Sequence, residues 1–227
     1  MADALRAGPS RRVAAVTARL VLPCVALAAG CATDDDPPPL GAGTVVTSET
    51  TDTATSATDT ATSATAAGVG IRAEGCGAIP AIGSGVVVEQ RGRVATVAHT
   101  IAGAVRIEVI DAEGARHDAA VLAFDPDRDL AVLDVPTLDA VPLPLGQGAL
   151  GSADVLRWRP VDGVTSSTAE ITRRLGITIA DIFGDGSTRR TGLELEATIT
   201  GGDSGGAVID ASGAVVGIVY ADSRTRA

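Results

Sequence analysis

The sequence predicts an all-β protein, from three observations. Short runs rich in Val, Ile and Leu recur roughly every 8–15 residues after residue 75, with Gly, Pro and Asp between them. Two of these runs, VRIEVI (105–110) and LELEATI (193–199), alternate apolar and polar side chains. That period of two is the mark of strands with one buried face. Helical periodicity is scarce, and only Ile171 to Phe183 is ambiguous between helix and strand. Regularly spaced short strands of this kind build sandwiches or barrels.

The chain ahead of the strands reads as two non-globular segments. Residues 1–30 combine Arg6, Arg11, Arg12 and Arg19 with an apolar run, LVLPCVALAAGC (20–31), which is too short to span a bilayer. A basic start, a short apolar stretch and small residues at its end make an export signal. Leu27-Ala28-Ala29-Gly30-Cys31 resembles a bacterial lipobox, which implies cleavage before Cys31 and lipidation of its thiol. The SRR at residues 10–12 hints at twin-arginine export, although the residues after it fit that pattern poorly. Residues 31–75 contain DDDPPP and a Thr/Ala/Ser/Asp-rich tract with almost no bulky apolar side chain. Such a tract cannot bury enough surface to offset its ordering entropy and is expected to be a disordered tether. The folded domain is then residues 76–227.

Within that domain the expected strands are GVVVE (85–89), RVATVA (93–98), VRIEVI, AAVLAF (119–124), LAVLDV (130–135), VPLPL (141–145), DVLRW (154–158), LELEATI, AVID (207–210) and AVVGIVY (214–220). DAEGAR (111–116) reads as a hairpin turn. The Pro and Gly density from Pro142 to Gly151 marks a link between two sub-barrels, about 76–145 and 146–227. The core must be aliphatic, because the domain's aromatic residues are Phe124, Trp158, Phe183 and Tyr220 alone. The chain has no lysine, which excludes lysine nucleophiles and Schiff bases. Its net charge is −10, and beyond residue 30 there are 14 basic against 27 acidic residues, a net −13. So acidic a surface repels nucleic acid and anionic lipid.

The chemistry is expected at GGDSGG (201–206). Glycines on both sides of Ser204 let the backbone turn sharply and approach a substrate. The amides of Gly202 and Ser204 can then point to one spot, as an oxyanion hole requires. The letters also fit G-x-S-x-G, but an α/β-hydrolase needs its histidine after the serine and none follows Ser204. A serine needs a base, and His99 and His117 are the only histidines. His99 ends an apolar run, where a buried strand delivers a side chain to a site, whereas His117 in GARHDAA reads as a solvated surface residue. The base needs a carboxylate to orient it. Of Asp125, Asp127, Asp129 and Asp134, only Asp129 stands directly before an apolar run, where its side chain can be buried. Asp125 and Asp127 read as turn residues and Asp134 as a solvent-facing strand residue. His99, Asp129 and Ser204 are therefore the candidate catalytic residues.

Residues 76–222 resemble the trypsin-like (chymotrypsin-fold) serine proteases. GSGVVV (83–88), TVAHTIAGA (96–104), DRDLAVL (127–133) and GGDSGG occur in the order of the HtrA-type branch. DIFGDGSTRRTGLELEATITGGDSGG (181–206) is similar to the protease domains of actinobacterial membrane-anchored serine proteases. The resemblance implies two six-stranded β-barrels with the triad between them, an endopeptidase acting through an acyl-enzyme, protein or peptide substrates, and no metal or cofactor. It places Thr198 and Tyr220 in the specificity pocket, and the uncharged Thr198 implies small or apolar P1 residues. With the lipobox it implies an exported, lipid-anchored protein of the bacterial envelope.

Three departures stand out. Ala207 replaces the proline expected after GDSGG. The last strand and helix of the second barrel are expected after GIVYAD, where the chain ends at Ala227, so that barrel is expected to lack its closing strand. The resemblance pairs a cysteine at the place of Cys76 with one near the C-terminus, and none is present there. The last two of these departures favour a truncated sequence. They also keep open a second reading, an impaired pseudoprotease serving as a surface-anchored binding module, and a third, a cell-wall adhesin.

Overall fold

The computed structural model describes residues 11–16, 64–75, 77 and 79–222. Cys31, the linker up to residue 63 and Cys76 lie outside the described residues. The expected all-β architecture is present as two antiparallel barrels.

The first barrel comprises β2 (Gly68–Glu74), β3 (Ala81–Glu89), β4 (Arg93–Thr96), β5 (Arg106–Ile110), β6 (Arg116–Asp125) and β7 (Leu130–Asp134), closed in the order β2-β3-β4-β7-β6-β5. The second comprises β1 (Arg11–Val16), β8 (Gly151–Arg159), β9 (Gly163–Ala180), β10 (Ser187–Ala197), β11 (Ala207–Asp210) and β12 (Val215–Asp222), closed in the order β1-β10-β9-β8-β11-β12. The link between them carries one isolated bridge, Leu145 to Val215, so VPLPL is not a strand. DAEGAR forms the expected turn, with the Gly114 amide on the Asp111 carbonyl and the Asp111 amide on that of Ala115. The ambiguous Ile171–Phe183 stretch is mostly strand, the far half of β9 in a long hairpin with β10.

Two expectations are corrected. The folded domain starts before residue 76, because Gly68–Glu74 is the first strand of the first barrel, paired with β3 and β5. Val69, Ile71 and Ala73 are buried, and that alternation was hidden by the Thr/Ala-rich tract beside it. The second barrel does not end in an open edge. β1 hydrogen-bonds to β10 along Arg11–Val16 and to β12 along Val13–Val16. Strands β10 and β12 each present an unpaired ladder that favours any strand within reach, and here the N-terminal segment fills it. The same six residues cannot both be cleaved with an export signal and close this barrel.

The barrels join along β2 and β8. Successive residues of a strand face opposite sides. Val155 accordingly enters the second barrel's core, with Ile171, Leu193, Leu195, Val208 and Val219, while Leu156 packs into the first barrel's cluster with Val69, Val86 and Leu133. Each such side chain contributes about 1.5–3 kcal/mol on burial. The approach is close because β2 carries glycine where it meets β8. A Cβ on Gly70 would lie 2.3 Å from the Trp158 ring, and one on Gly68 would lie 2.5 Å from Val164.

One carboxylate is buried in the first barrel's wall. Glu108 of β5, directly opposite Arg72 of β2, is 6% exposed. It meets Arg72 at 2.7 Å, Arg116 at 3.1 Å and Arg106 at 3.2 Å. The hydrogen bond from Arg72 holds its carboxyl below the ordinary carboxylate range against the opposing effect of burial, and Arg106 and Arg116 add to it. A depressed carboxyl contributes stability above its unfolded pKa and loses it as pH falls through its folded pKa. Glu108→Gln is therefore expected to cost about 1–2 kcal/mol at neutral pH, since three cations lose one partner and remain partly solvated. In urea titrations the gap between the two proteins should close as the pH falls below the ordinary carboxylate range.

Candidate active site

β4 ends at Thr96, and Ala98–Ile101 form one helical turn whose Ala98, Thr100 and Ile101 are buried. Those anchors leave His99 directed outward, its side chain 34% exposed. Asp129 closes the turn between β6 and β7. Asp125 organises that turn by accepting the Arg128 amide at 2.9 Å and pairing with its guanidinium at 2.6 Å. Asp129 has φ +56°, a left-handed conformation costly for a residue with a side chain, and is 2% exposed. Its carboxylate takes the His99 amide on Oδ1 and His99 Nδ1 on Oδ2, both at 2.8 Å. A carboxylate only accepts, so Nδ1 carries the proton and Nε2 is left as an acceptor. Asp134 faces outward as expected, paired with Arg93 across β4 and β7. Asp127 is an exposed turn residue.

Ser204 lies in the turn of residues 201–206 and is half-buried. Its carbonyl accepts the Ser84 amide at 2.7 Å, which ties the turn to β3 of the other barrel. The Ser84 hydroxyl accepts the Trp158 amide at 3.0 Å and donates to the Gly202 carbonyl at 3.0 Å. Thr96 donates to the Ser84 carbonyl at 2.7 Å. Gly205 has φ +88°, and a Cβ there would lie 1.9 Å from the Ser84 carbonyl oxygen, so only glycine fits. Gly83 links the two halves of the site: a Cβ on it would lie 2.9 Å from Thr100, next to His99, and 3.0 Å from the Ser204 carbonyl.

The amides of this turn divide into two sets. Those of Asp203, Gly205 and Gly206 are held by the carbonyls of Thr200, Val219 and Asp203. Those of Gly201, Gly202 and Ser204 have no acceptor among the described residues. The two expected oxyanion donors are thus among the amides without a protein acceptor.

Asp203 is fully buried. Arg159 of β8 grips it with Nη2 at 3.0 Å and 3.1 Å from its two oxygens and Nε at 3.2 Å, and also donates to Thr200 Oγ1 at 2.8 Å. The Thr200 amide donates to Asp203 at 2.9 Å, and Arg157 Nε stands 3.8 Å away. Arg157 and Arg159 reach the same carboxylate because they are two apart on one strand and share a face. The spacing in RWRP was the available signal for this clamp. Ser84 and Arg190 were equally unassigned in the sequence.

The pocket residues divide. Thr198 is exposed just after β10, and its carbonyl accepts from Arg157 at 3.5 Å. Tyr220 is placed differently from the expectation. It is 5% exposed, with its ring 5.4 Å beneath the Arg190 guanidinium, and so presents no open wall to a substrate. Burial pushes its phenol up, the Asp129 charge adds to that, and Arg190 opposes it. His117 is not a free surface residue either. Its ring bridges Asp111 at 3.0 Å and Thr137 at 2.9 Å, locking the DAEGAR turn.

Comparison with known proteins agrees with the two-barrel fold. The family profile of the trypsin-like peptidase domain matches residues 83–218, more than half of the chain. The chain is 34% identical over 145 residues to the chloroplast protease Do-like 1 of Arabidopsis thaliana, covering 60% of this chain and 32% of that protein. It is 34% identical over 142 residues to the serine protease Rv3671c of Mycobacterium tuberculosis, covering 61% and 35%. The crystal structure of the active form of the Rv3671c protease superposes with a TM-score of 0.66 at 28% identity, covering 82% of this chain and 83% of that one. The chain spans about a third of the length of these curated relatives.

The Asp203 clamp can be tested by stability. Arg159→Met leaves a fully buried carboxylate with the Thr200 amide and, 3.8 Å away, Arg157 as its nearby cation, which should cost about 3 kcal/mol or more. Adding Asp203→Asn should recover part of that loss in chemical denaturation, because the stranded charge is gone.

Proposed function

The chain belongs to the trypsin-like peptidase family, and from that premise we propose that it is a serine endopeptidase whose triad is His99, Asp129 and Ser204. The observation that carries the reading is the two-point grip of buried Asp129 on His99, which leaves Nε2 as the ring's acceptor, with the Ser204 turn packed through Gly83 against Thr100, the neighbour of His99. In the proposed reaction His99 Nε2 takes the Ser204 proton as Oγ attacks the scissile carbonyl. The amides of Gly202 and Ser204 hold the oxyanion. Asp129 stabilises the imidazolium, which then protonates the leaving amine. Water enters by the same route and hydrolyses the acyl-enzyme.

Substrates are proposed to be proteins or peptides with small or apolar P1 residues, because Thr198 brings no charge. The lipobox-like residues 27–31 support export and anchoring through Cys31 at the envelope. If that maturation occurs it removes β1, and the ladder between β10 and β12 must be filled by another strand or left open.

A fluorophosphonate probe should label the full chain, and Ser204→Ala should abolish labelling and lower kcat/KM by about 10⁴-fold or more. A folded chain that resists the probe would instead favour the binding-module reading. Intact mass spectrometry of the membrane-associated protein decides the maturation: a lipidated N-terminus at Cys31 supports it, whereas retention of residues 11–16 supports the closed barrel as the working form.

A further inference from the structure

Arg190 of β10 is a buried cation that the mechanism above does not use. Its side chain is 3% exposed. Its Nε donates to the Asp127 carbonyl at 2.7 Å and its Nη2 to the Pro126 carbonyl at 3.2 Å, so both hydrogen bonds go to the turn that carries Asp129. Its Nη1 stands 3.7 Å from Asp129 Oδ2, the oxygen that holds His99 Nδ1. The Tyr220 ring supports the guanidinium from the other side. A residue more than sixty positions away, in the other barrel, thus holds the backbone on which the acid sits.

We propose that Arg190, seated on Tyr220, is the positioning residue for Asp129: it holds the left-handed turn in place and offsets the buried carboxylate's charge, setting how strongly Asp129 binds the His99 imidazolium. This rests on reading His99, Asp129 and Ser204 as the triad. Two physical needs support it. A non-glycine residue at φ +56° persists only when its surroundings hold it, and carbonyls 126 and 127 are where Arg190 holds this one. A carboxylate at 2% exposure also needs more than one partner. Three elements present charged or titratable groups to it: His99 from the helical turn, Arg190 from β10 and Tyr220 from β12. Arg128, on its own turn, is paired with Asp125 at the surface. Arginine suits the post because its planar fork serves two carbonyls and a ring face at once, which a lysine cannot do.

The test uses the full chain with Arg190→Met, Arg190→Lys and Tyr220→Phe. It reads kcat and KM on a peptide substrate, and the His99 titration by NMR with His117 as the internal control. Removing the cation leaves Asp129 less compensated and favours the imidazolium. Arg190→Met should therefore move the His99 titration and the acid limb of kcat/KM to higher pH by up to about one unit. It should also lower kcat by about 10- to 100-fold with KM little changed. Arg190→Lys should restore the pH limb but only part of kcat, because it keeps the charge and loses the fork. Tyr220→Phe, which keeps the ring, should leave both close to wild type. A folded Arg190→Met with unchanged His99 titration and unchanged kcat would overturn the proposal, as would a loss confined to KM. Should Arg190→Met fail to fold, Arg190→Lys decides: a fall in kcat without a shifted limb supports the proposal, and wild-type kcat overturns it. A shifted His99 titration in a chain whose Ser204 resists the fluorophosphonate would uphold the positioning role and count against the protease reading instead.

Discussion

Ser84 is where the two barrels are locked to each other, and the geometry of the site depends on that lock. Its amide holds the Ser204 carbonyl, its hydroxyl holds the Gly202 carbonyl, and its own carbonyl is held by Thr96. Gly205 must be glycine because that carbonyl occupies the space a Cβ would need. With its carbonyls drawn into the first barrel, the 201–206 turn has its Gly201, Gly202 and Ser204 amides left over, without acceptors among the described residues. The placement of these amides thus follows from where the barrels meet. The arrangement needs the close approach that Gly68 and Gly70 permit against Leu156 and Trp158.

Charge is handled throughout by arginine. In a strongly acidic chain without lysine, each buried carboxylate among the described residues is met by a guanidinium: Glu108 by Arg72, Asp203 by Arg159, Asp129 by Arg190 as well as by His99. A guanidinium is weakly hydrated and forked, so it loses less than an ammonium on burial and can satisfy two acceptors at once. At Asp203 the fork spans both oxygens, while at the Asp129 turn it spans two carbonyls. The two sites tie different parts of the centre, the serine turn and the acid turn, to strands of the second barrel.

Much of the site was legible because catalysis demands local signals. GGDSGG announces a tight turn, His99 ends an apolar run, and Asp129 alone among four aspartates adjoins one. The structure brings His99 and Asp129 to 2.8 Å and seats Ser204 against the neighbour of His99 through Gly83. Less legible were residues whose role depends on partners far along the chain. Arg190 sits in an ordinary strand sequence, and nothing local marks it as reaching Asp127. Tyr220 reads as a pocket residue in the sequence, yet its ring is covered by Arg190. His117 reads as a surface residue because its partner Thr137 lies twenty positions away. β2 was hidden by composition, since glycine at alternate positions weakens a strand pattern while permitting the closest packing between barrels.

The sequence by itself determined the period-two strands, the aliphatic core, the order of histidine, aspartate and serine, and a turn that only glycine can make. These are properties of short stretches, set by backbone sterics and side-chain alternation. The tertiary structure alone decided which strand closes the second barrel, where β1 from the N-terminal segment takes the ladder between β10 and β12. It alone also decided which cations neutralise which buried acids. Both outcomes depend on which groups come within hydrogen-bond reach once the barrels pack, and reach across 36 residues or more is a property of the folded surface that no local pattern carries.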